Sequence, residues 1–223
     1  VIFLTQTRGD LVGLAAGLFT LVIAFGVSPP PLRSRFLRAR TFYFTLLGSL
    51  ILSGITFWVT RANPFWENIP GANRFRDISF SDPGLQPRLI ALRAAWRGFL
   101  DKPFLGWGWD NFNIVFNKYY DPRALEISYQ ETRFDKPHNT FLEYLVVGGV
   151  PLAAAYYGLL VVFVWQAWRL KDRLLAAVST AAVVAYIVRN LFVFETIGPV
   201  LMLVLWMGFL EYGSREERVE VPA

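Results

Sequence analysis

The chain has 223 residues, 54% of them hydrophobic and 17% charged, with 8 Trp, 20 Phe, a single His, no Cys and a net charge of +5. So much apolar mass with so few charges is more than one soluble core of this size carries, and an integral membrane protein with one sizeable polar segment is expected. Without cysteine there is no disulfide scaffold, thiolate zinc site, iron–sulfur cluster or cysteine nucleophile.

The opening Val1-Ile2-Phe3-Leu4 has neither an initiating methionine nor the charged start of a signal peptide, and is expected to continue a longer protein. A bilayer core needs about 20 mostly apolar residues per helix. Residues Leu11 to Val27 and Thr41 to Val59 meet this, and Phe141 to Trp168 is long enough to span with tilt. Within the third stretch, Gly148-Gly149-Val150-Pro151 predicts a kink. Leu174 to Phe194 and Ile197 to Tyr212 form a last pair, with Gly198-Pro199 at their turn. About five transmembrane helices in an all-α fold follow, the fifth being short.

Orientation follows from Lys and Arg in the short connections. Arg33, Arg35, Arg38 and Arg40 follow Pro29-Pro30-Pro31, and Arg169, Lys171 and Arg173 face only Asp172, so both connections are expected in the cytoplasm. Residues 1–60 then carry two spans, 61–138 form one long extracytoplasmic loop, 139–212 carry three spans, and 213–223 form a cytoplasmic tail. The positive balance therefore signals topology and not a nucleic-acid partner.

Loops beyond about 12 to 15 residues are uncommon unless functional or disordered. This one holds Trp66, Trp96, Trp107 and Trp109, so it is expected to be folded. Leu89, Leu92, Ala95, Trp96 and Phe99 recur at helical spacing between Pro87 and Pro103, with Arg88, Arg93 and Arg97 among them. They predict an amphipathic helix lying against the membrane or the helix bundle.

Topology brings Arg8, Arg61, His138 and Arg189, at four helix ends, to the same membrane face as Arg88 in the loop. An arginine inside a span costs about 2.5 to 3.5 kcal/mol on insertion scales, so Arg189 calls for a partner. Guanidinium forks fit phosphate oxygens, which points to an anionic ligand at the outer leaflet. His138 has two readings: a general base, since an unperturbed imidazole is mostly neutral at pH 7, or an interfacial residue beside Asn139 capping the next helix. Glu143, about one turn beyond Asn139, either faces the same site or is hydrogen-bonded near the interface. Asp101, Asp110, Asp121 and Asp135 lack metal-ligand spacing, and one histidine argues against zinc. Gly106-Trp107-Gly108 has no Walker lysine and reads as a tight turn.

Taken together, Thr5-Gln6-Thr7-Arg8-Gly9 before an apolar helix, Arg88 with Ala94, Ala95, Phe99 and Pro103, Gly106-x-Gly108 with Phe112, and His138-Asn139 with Leu142 and Gly149 resemble the carboxy-terminal domain of the O-antigen ligase and O-antigen polymerase family. Val147, Leu152 and Leu92 depart from that family's usual residues. The resemblance implies a metal-independent, all-helical membrane glycosyltransferase without a cofactor, in the bacterial cytoplasmic membrane with its site facing outward. Its donor would be a polyprenyl-diphosphate-linked glycan and its acceptor a hydroxyl of a glycan, lipid or protein. By motif, Arg8 and Arg88 would hold the diphosphate and His138 would activate the acceptor. Arg61 and Arg189 are secondary residues on topology alone, and Asn139, Glu143, Tyr119 and Tyr120 are candidates to line the site. Two other classes stand beside it: a small-anion, bicarbonate-like transporter with the arginines as filter, and a non-catalytic component of an envelope assembly.

Overall fold

The computed structural model describes residues 8–27, 39–69, 85–127 and 133–219, with the backbone alone at 8, 39–42, 68, 127 and 214–219. The expected Pro-Arg connection at 28–38 and the Thr5 to Thr7 part of the first motif lie outside the described residues. The described residues contain no strand. Their helices are α1 (Arg8–Val27), α2 (Ala39–Thr60), a 3-10 turn (Pro64–Asn68), α3 (Gln86–Asp101), α4 (Phe112–Lys118), α5 (Arg123–Ile127), α6 (Thr140–Arg169), α7 (Arg173–Asn190) and α8 (Ile197–Val219).

Four helices are long and apolar enough to cross a membrane, over Gly9–Val27, Tyr43–Thr60, Thr140–Arg169 and Arg173–Asn190. The apolar part of α8, Ile197–Gly213, is shorter than a full span. Two boundaries differ from expectation. The fourth apolar stretch stops being helical at Asn190, and residues 191–194 form a turn. The polar residues after Tyr212 prolong α8 to Val219 through Gly213.

The chain divides into two compact units. The span unit comprises Val12–Phe57, Leu159–Val188 and Glu195–Ala223. Its interior combines small residues, Ala24, Ala167, Ala176, Ala177, Ala181 and Ser179, with large ones such as Leu160, Phe163, Tyr186 and Leu203. A Cβ on Gly17 would lie 2.8 Å from the Ala185 methyl carbon, so α1 and α7 touch nearly backbone to backbone. Hydroxyls within the helices donate to the carbonyl one turn back, as Thr20 does to Ala16 at 2.8 Å and Ser49 to Thr45 at 2.9 Å. That satisfies them where water is absent. Between elements, the Trp168 indole donates to Thr180 Oγ1 at 2.8 Å and the Trp206 indole to Ser179 Oγ at 3.0 Å.

The loop unit comprises Val1–Leu11, Trp58–Gly158 and Arg189–Phe194. Here α3 packs on α4 and α5. The amphipathic helix forms, but its buried face is not the Leu and Trp stripe. Pro87, Ile90, Ala91, Ala94, Ala95 and Gly98 are buried, while Trp96 and Leu100 are exposed. Small residues let α3 approach Val115 of α4 closely, and the core is then filled by Phe112, Phe116, Phe134 and Val146.

The kink in α6 shows how the loop is fastened. Gly149 has φ 67 and ψ −166, which ends the helical ladder, and Pro151 has no N–H to give the Val147 carbonyl. The turn after α3 supplies the missing partners. Trp107 N–H donates to Val146 O at 2.8 Å, Gly108 N–H donates to Val147 O at 2.9 Å, and Val150 N–H donates to Pro103 O at 2.8 Å. Such contact requires bare backbones: a Cβ on Gly106 would lie 2.4 Å from Val147 C, and one on Gly149 would lie 2.3 Å from Phe104 O. Gly106 also has φ 64, a conformation that favours glycine. The Gly-x-Gly turn is therefore the plug of a broken helix.

Candidate functional site

The residues singled out from the sequence, Arg8, Arg61, Arg88, Tyr119, Tyr120, His138, Asn139, Glu143 and Arg189, all belong to the loop unit. The joint that organises them is the turn at 191–194. Asn139 Nδ2 donates to Leu191 O at 3.0 Å, and Thr140 Oγ1 donates to Val193 O at 3.0 Å. A Cβ on Gly9 would lie 2.9 Å from Val193 Cγ2, so the first turn of α1 rests on the same segment.

His138 immediately precedes the cap of α6. Asn139 Oδ1 accepts from Leu142 N–H at 2.9 Å, which is an N-cap bond to the third helical residue. The capping role foreseen for Asn139 is thus present, and its amide additionally grips the 191–194 turn. His138 has φ 54, a left-handed conformation that histidine adopts more readily than most residues. A backbone in that region stores about 1 to 3 kcal/mol and persists only when its surroundings fix it. They do so here, since the imidazole lies edge-to-face between Phe134 at 5.7 Å and Phe194 at 5.4 Å. Phe134 belongs to the cluster that includes Ile90, Ala91, Ala94 and Ala95 of α3. One continuous apolar core therefore connects the helix of Arg88 with the ring of His138.

The arginines divide by partner. Arg189 Nε donates to Asp10 Oδ1 at 2.7 Å and its Nη1 to Asn190 Oδ1 at 2.8 Å. The cost of that guanidinium is thereby offset, and α7 is tied to the first turn of α1. The guanidinium of Arg61 lies over the Trp58 ring, 3.9 Å from its centroid. Arg88 is exposed in the first turn of α3. Arg8 opens α1, two residues before Asp10, and its side chain lies outside the described residues. The structure thus joins His138, Asn139, Arg189 and the start of α1 through one turn. It shows no direct contact between Arg88 and His138. Glu143 is buried and its Oε1 lies 3.3 Å from Lys136 Nζ, within the loop unit's interior.

Toward α4 the loop unit carries a second set of charges that the sequence did not single out. Asp101 accepts from Lys118 at 2.5 Å and from the Tyr119 hydroxyl. Those bonds, that of Lys118 first, hold the Asp101 carboxyl below the usual carboxylate range, and the same bond to Asp101 pushes the Tyr119 phenol up. Tyr119 and Tyr120 thus have neighbours of their own, Tyr120 lying edge-on to Phe116 at 5.8 Å. Arg123 clamps Asp121 through Nε at 2.9 Å and Nη2 at 2.5 Å, drawing its pKa down to about 2. A cavity of about 70 Å³ lies there, lined by Arg93, Arg97, Tyr119, Asp121 and Arg123 among others.

Sequence reasoning missed Asp10, Lys136 and the 191–194 turn. An acid in the first turn of an apolar helix was a readable signal for Asp10. The turn had none, since Leu191, Phe192, Val193 and Phe194 simply prolong an apolar stretch.

Among known sequences, the model of one family, described as O-antigen ligase, matches residues 1–157. The match contains Arg8, Arg61, Arg88, His138, Asn139 and Glu143, and stops short of Arg189. No curated protein and no solved structure matches the chain.

Proposed function

The chain belongs to the O-antigen ligase family, and from that premise we propose that it transfers or polymerises a polyprenyl-diphosphate-linked glycan onto an acceptor hydroxyl at the outer face of the bacterial cytoplasmic membrane. Membership carries the broader statement directly: this is a membrane protein of ligase type, with a lipid-linked glycan donor and an acceptor.

The observation that carries the proposal is the setting of His138: an imidazole held at φ 54 between two phenyl rings, in the same compact unit as Arg8 and Arg88. In the proposed reaction, the acceptor oxygen attacks the anomeric carbon as its proton passes to His138. The bond from that carbon to the phosphate oxygen breaks, and the electron pair leaves with the polyprenyl diphosphate. Attack opposite the leaving group inverts the anomeric configuration. Arg8 and Arg88 meet the charge that develops on the diphosphate, a form of stabilisation that needs no metal ion. Arg189, bound to Asp10, holds the first turn of α1 in place, and Arg61, Asn139 and Glu143 are supporting residues.

The composition of α1 favours transfer over anion transport. A permeation route needs polar groups along the spans, and Leu11 to Val27 holds only Thr20, whose hydroxyl donates to Ala16 O.

His138→Ala in the full-length protein is expected to lower transfer by about 100- to 10,000-fold, the usual contribution of a general base, while membrane insertion is unchanged. Retained turnover in a purified assay removes His138 as the base. Activity is expected to survive EDTA, and a strict Mg²⁺ requirement would count against guanidinium stabilisation of the leaving group.

A further inference from the structure

Gly149 divides α6 unequally. Beyond it, residues 150–169 amount to about 20 residues and about 30 Å of helix, the thickness of a bilayer's hydrocarbon core. Before it, Glu143, Tyr144, Leu145, Val146 and Val147 are buried, and the loop unit takes in both this part and residues 150–158 beyond the kink. The kink therefore stands where the bilayer-length part of α6 begins.

At that level the turn after α3 is docked by backbone contacts on both sides of Gly149. The side chains of the turn point away from the protein: Phe104 is 71% and Leu105 87% exposed. Isolated exposed apolar residues are ordinary, but these two belong to a run. Leu100 precedes them and Trp109 follows, both more than half exposed, and Trp96 lies one turn before Leu100 on α3. The turn's own charge is directed elsewhere, since Lys102 Nζ lies 4.1 Å from the centroid of the Trp107 ring. Beside Trp96, Arg93 and Arg97 line an open, apolar groove with Leu89 and Leu92. Apolar side chains, tryptophans and then guanidiniums form the sequence of groups found in passing from acyl chains to phosphates.

We propose that residues 103–106 form a wedge inserted in the lipid leaflet adjoining the loop unit. Phe104 and Leu105 enter the acyl region, Trp96 and Trp109 lie at headgroup level, and Arg93 and Arg97 meet lipid phosphates. The occupant of this surface is the bilayer itself. The wedge sets the height of the loop unit against the membrane through the plugged kink, and it is independent of the chemistry proposed for His138.

These 223 residues hold no cysteine, so a single introduced cysteine is the one labelling site among them and allows a direct test. Single variants Leu105→Cys and Phe104→Cys, each made in the full chain, spin-labelled and reconstituted in liposomes containing anionic phospholipid, are compared with two references. Asn117→Cys, exposed on α4, reports water, and Val161→Cys, exposed on the bilayer-length part of α6, reports lipid. The expected result at 104 and 105 is a loss of collisions with a water-soluble nickel chelate to the level at Val161→Cys, with oxygen collisions retained. Nickel accessibility equal to that at Asn117→Cys would place the turn in water and overturn the wedge. An immobile label accessible to neither reagent would mean that protein covers the turn, and would overturn it equally. Both side chains are exposed, so these substitutions leave the interior intact, and the two positions check one another.

Discussion

The loop unit and the span unit differ most in how much apolar bulk they turn outward. Buried in the loop unit are large side chains such as Phe112, Phe116 and Phe134. In the span unit Ala24, Ala167, Ala176, Ala177, Ala181 and Ser179 are buried beside larger residues such as Leu160 and Phe163, while Leu52, Ile55, Val161, Met202 and Leu205 point outward. Water drives apolar bulk inward, but lipid gives no such drive, so a helix in a bilayer keeps large groups outside and gains from close approach of small ones. Polar bonding differs in the same way. In the span unit hydroxyls are satisfied within a helix, indoles donate to Thr180 and Ser179, and Asp172 accepts from the first N–H groups of α7. In the loop unit side chains and turns capture backbone groups left over by breaks in helices, as at Gly149 and Asn139.

If the loop unit depends on backbone docking at one joint, damage there outweighs equivalent damage in the span unit. Gly106→Ala forces a Cβ against the Val147 carbonyl at a positive φ. Strain and overpacking together are expected to cost about 3 kcal/mol, seen as a lower thermal midpoint in detergent. Gly208→Ala in the span unit, whose added Cβ meets nothing within 4 Å, is expected to be neutral or slightly stabilising. Equal midpoints for the two variants would dissolve the contrast.

A smaller effect tests the span unit. Ser179→Ala leaves the Trp206 indole without its acceptor, and polar contacts of this kind inside membranes average about 0.6 kcal/mol. A loss as large as that for Gly106→Ala would show that the span unit too depends on fixed polar geometry.

The smallest effect is expected at Asp121, on the surface of the loop unit. Its pKa of about 2 in the folded protein lies below the unfolded value of about 3.9. The associated stability is therefore complete above pH 4 and lost as pH falls toward 2. Thermal midpoints of the wild type and Asp121→Asn should differ slightly at pH 6 and converge near pH 2. A difference that widens in acid would reverse the sign. Screening of an exposed pair keeps the effect small.

Legibility in the sequence followed the same division. The spans were readable because a run of about 20 apolar residues has few alternatives, and the kink because Gly149 and Pro151 cannot continue a regular ladder. For α3 the helix was legible but its orientation was not. Leu89, Leu92, Ala95, Trp96 and Phe99 read as one face against either the membrane or the helix bundle; of these Ala95 is buried, together with Ile90, Ala91 and Ala94, while Trp96 is exposed. An apolar side chain at helical spacing can face either a protein core or a lipid surface, and periodicity does not distinguish them. The partner of Arg189 was called for on energetic grounds, but its identity as Asp10 spans 179 positions of sequence.

What the sequence determined by itself is the set of local facts: all-helical, membrane-spanning, broken at Gly149, capped at Asn139, with a family pattern around Arg8, Arg88 and His138. Each rests on hydropathy, backbone stereochemistry or hydrogen-bonding capacity that a short stretch of chain carries within itself. Tertiary structure alone decided which turn closes the break in α6, which rings fix His138, and which acid meets Arg189. Those are pairings between distant segments, and their free energy exists only once folding has brought both partners together.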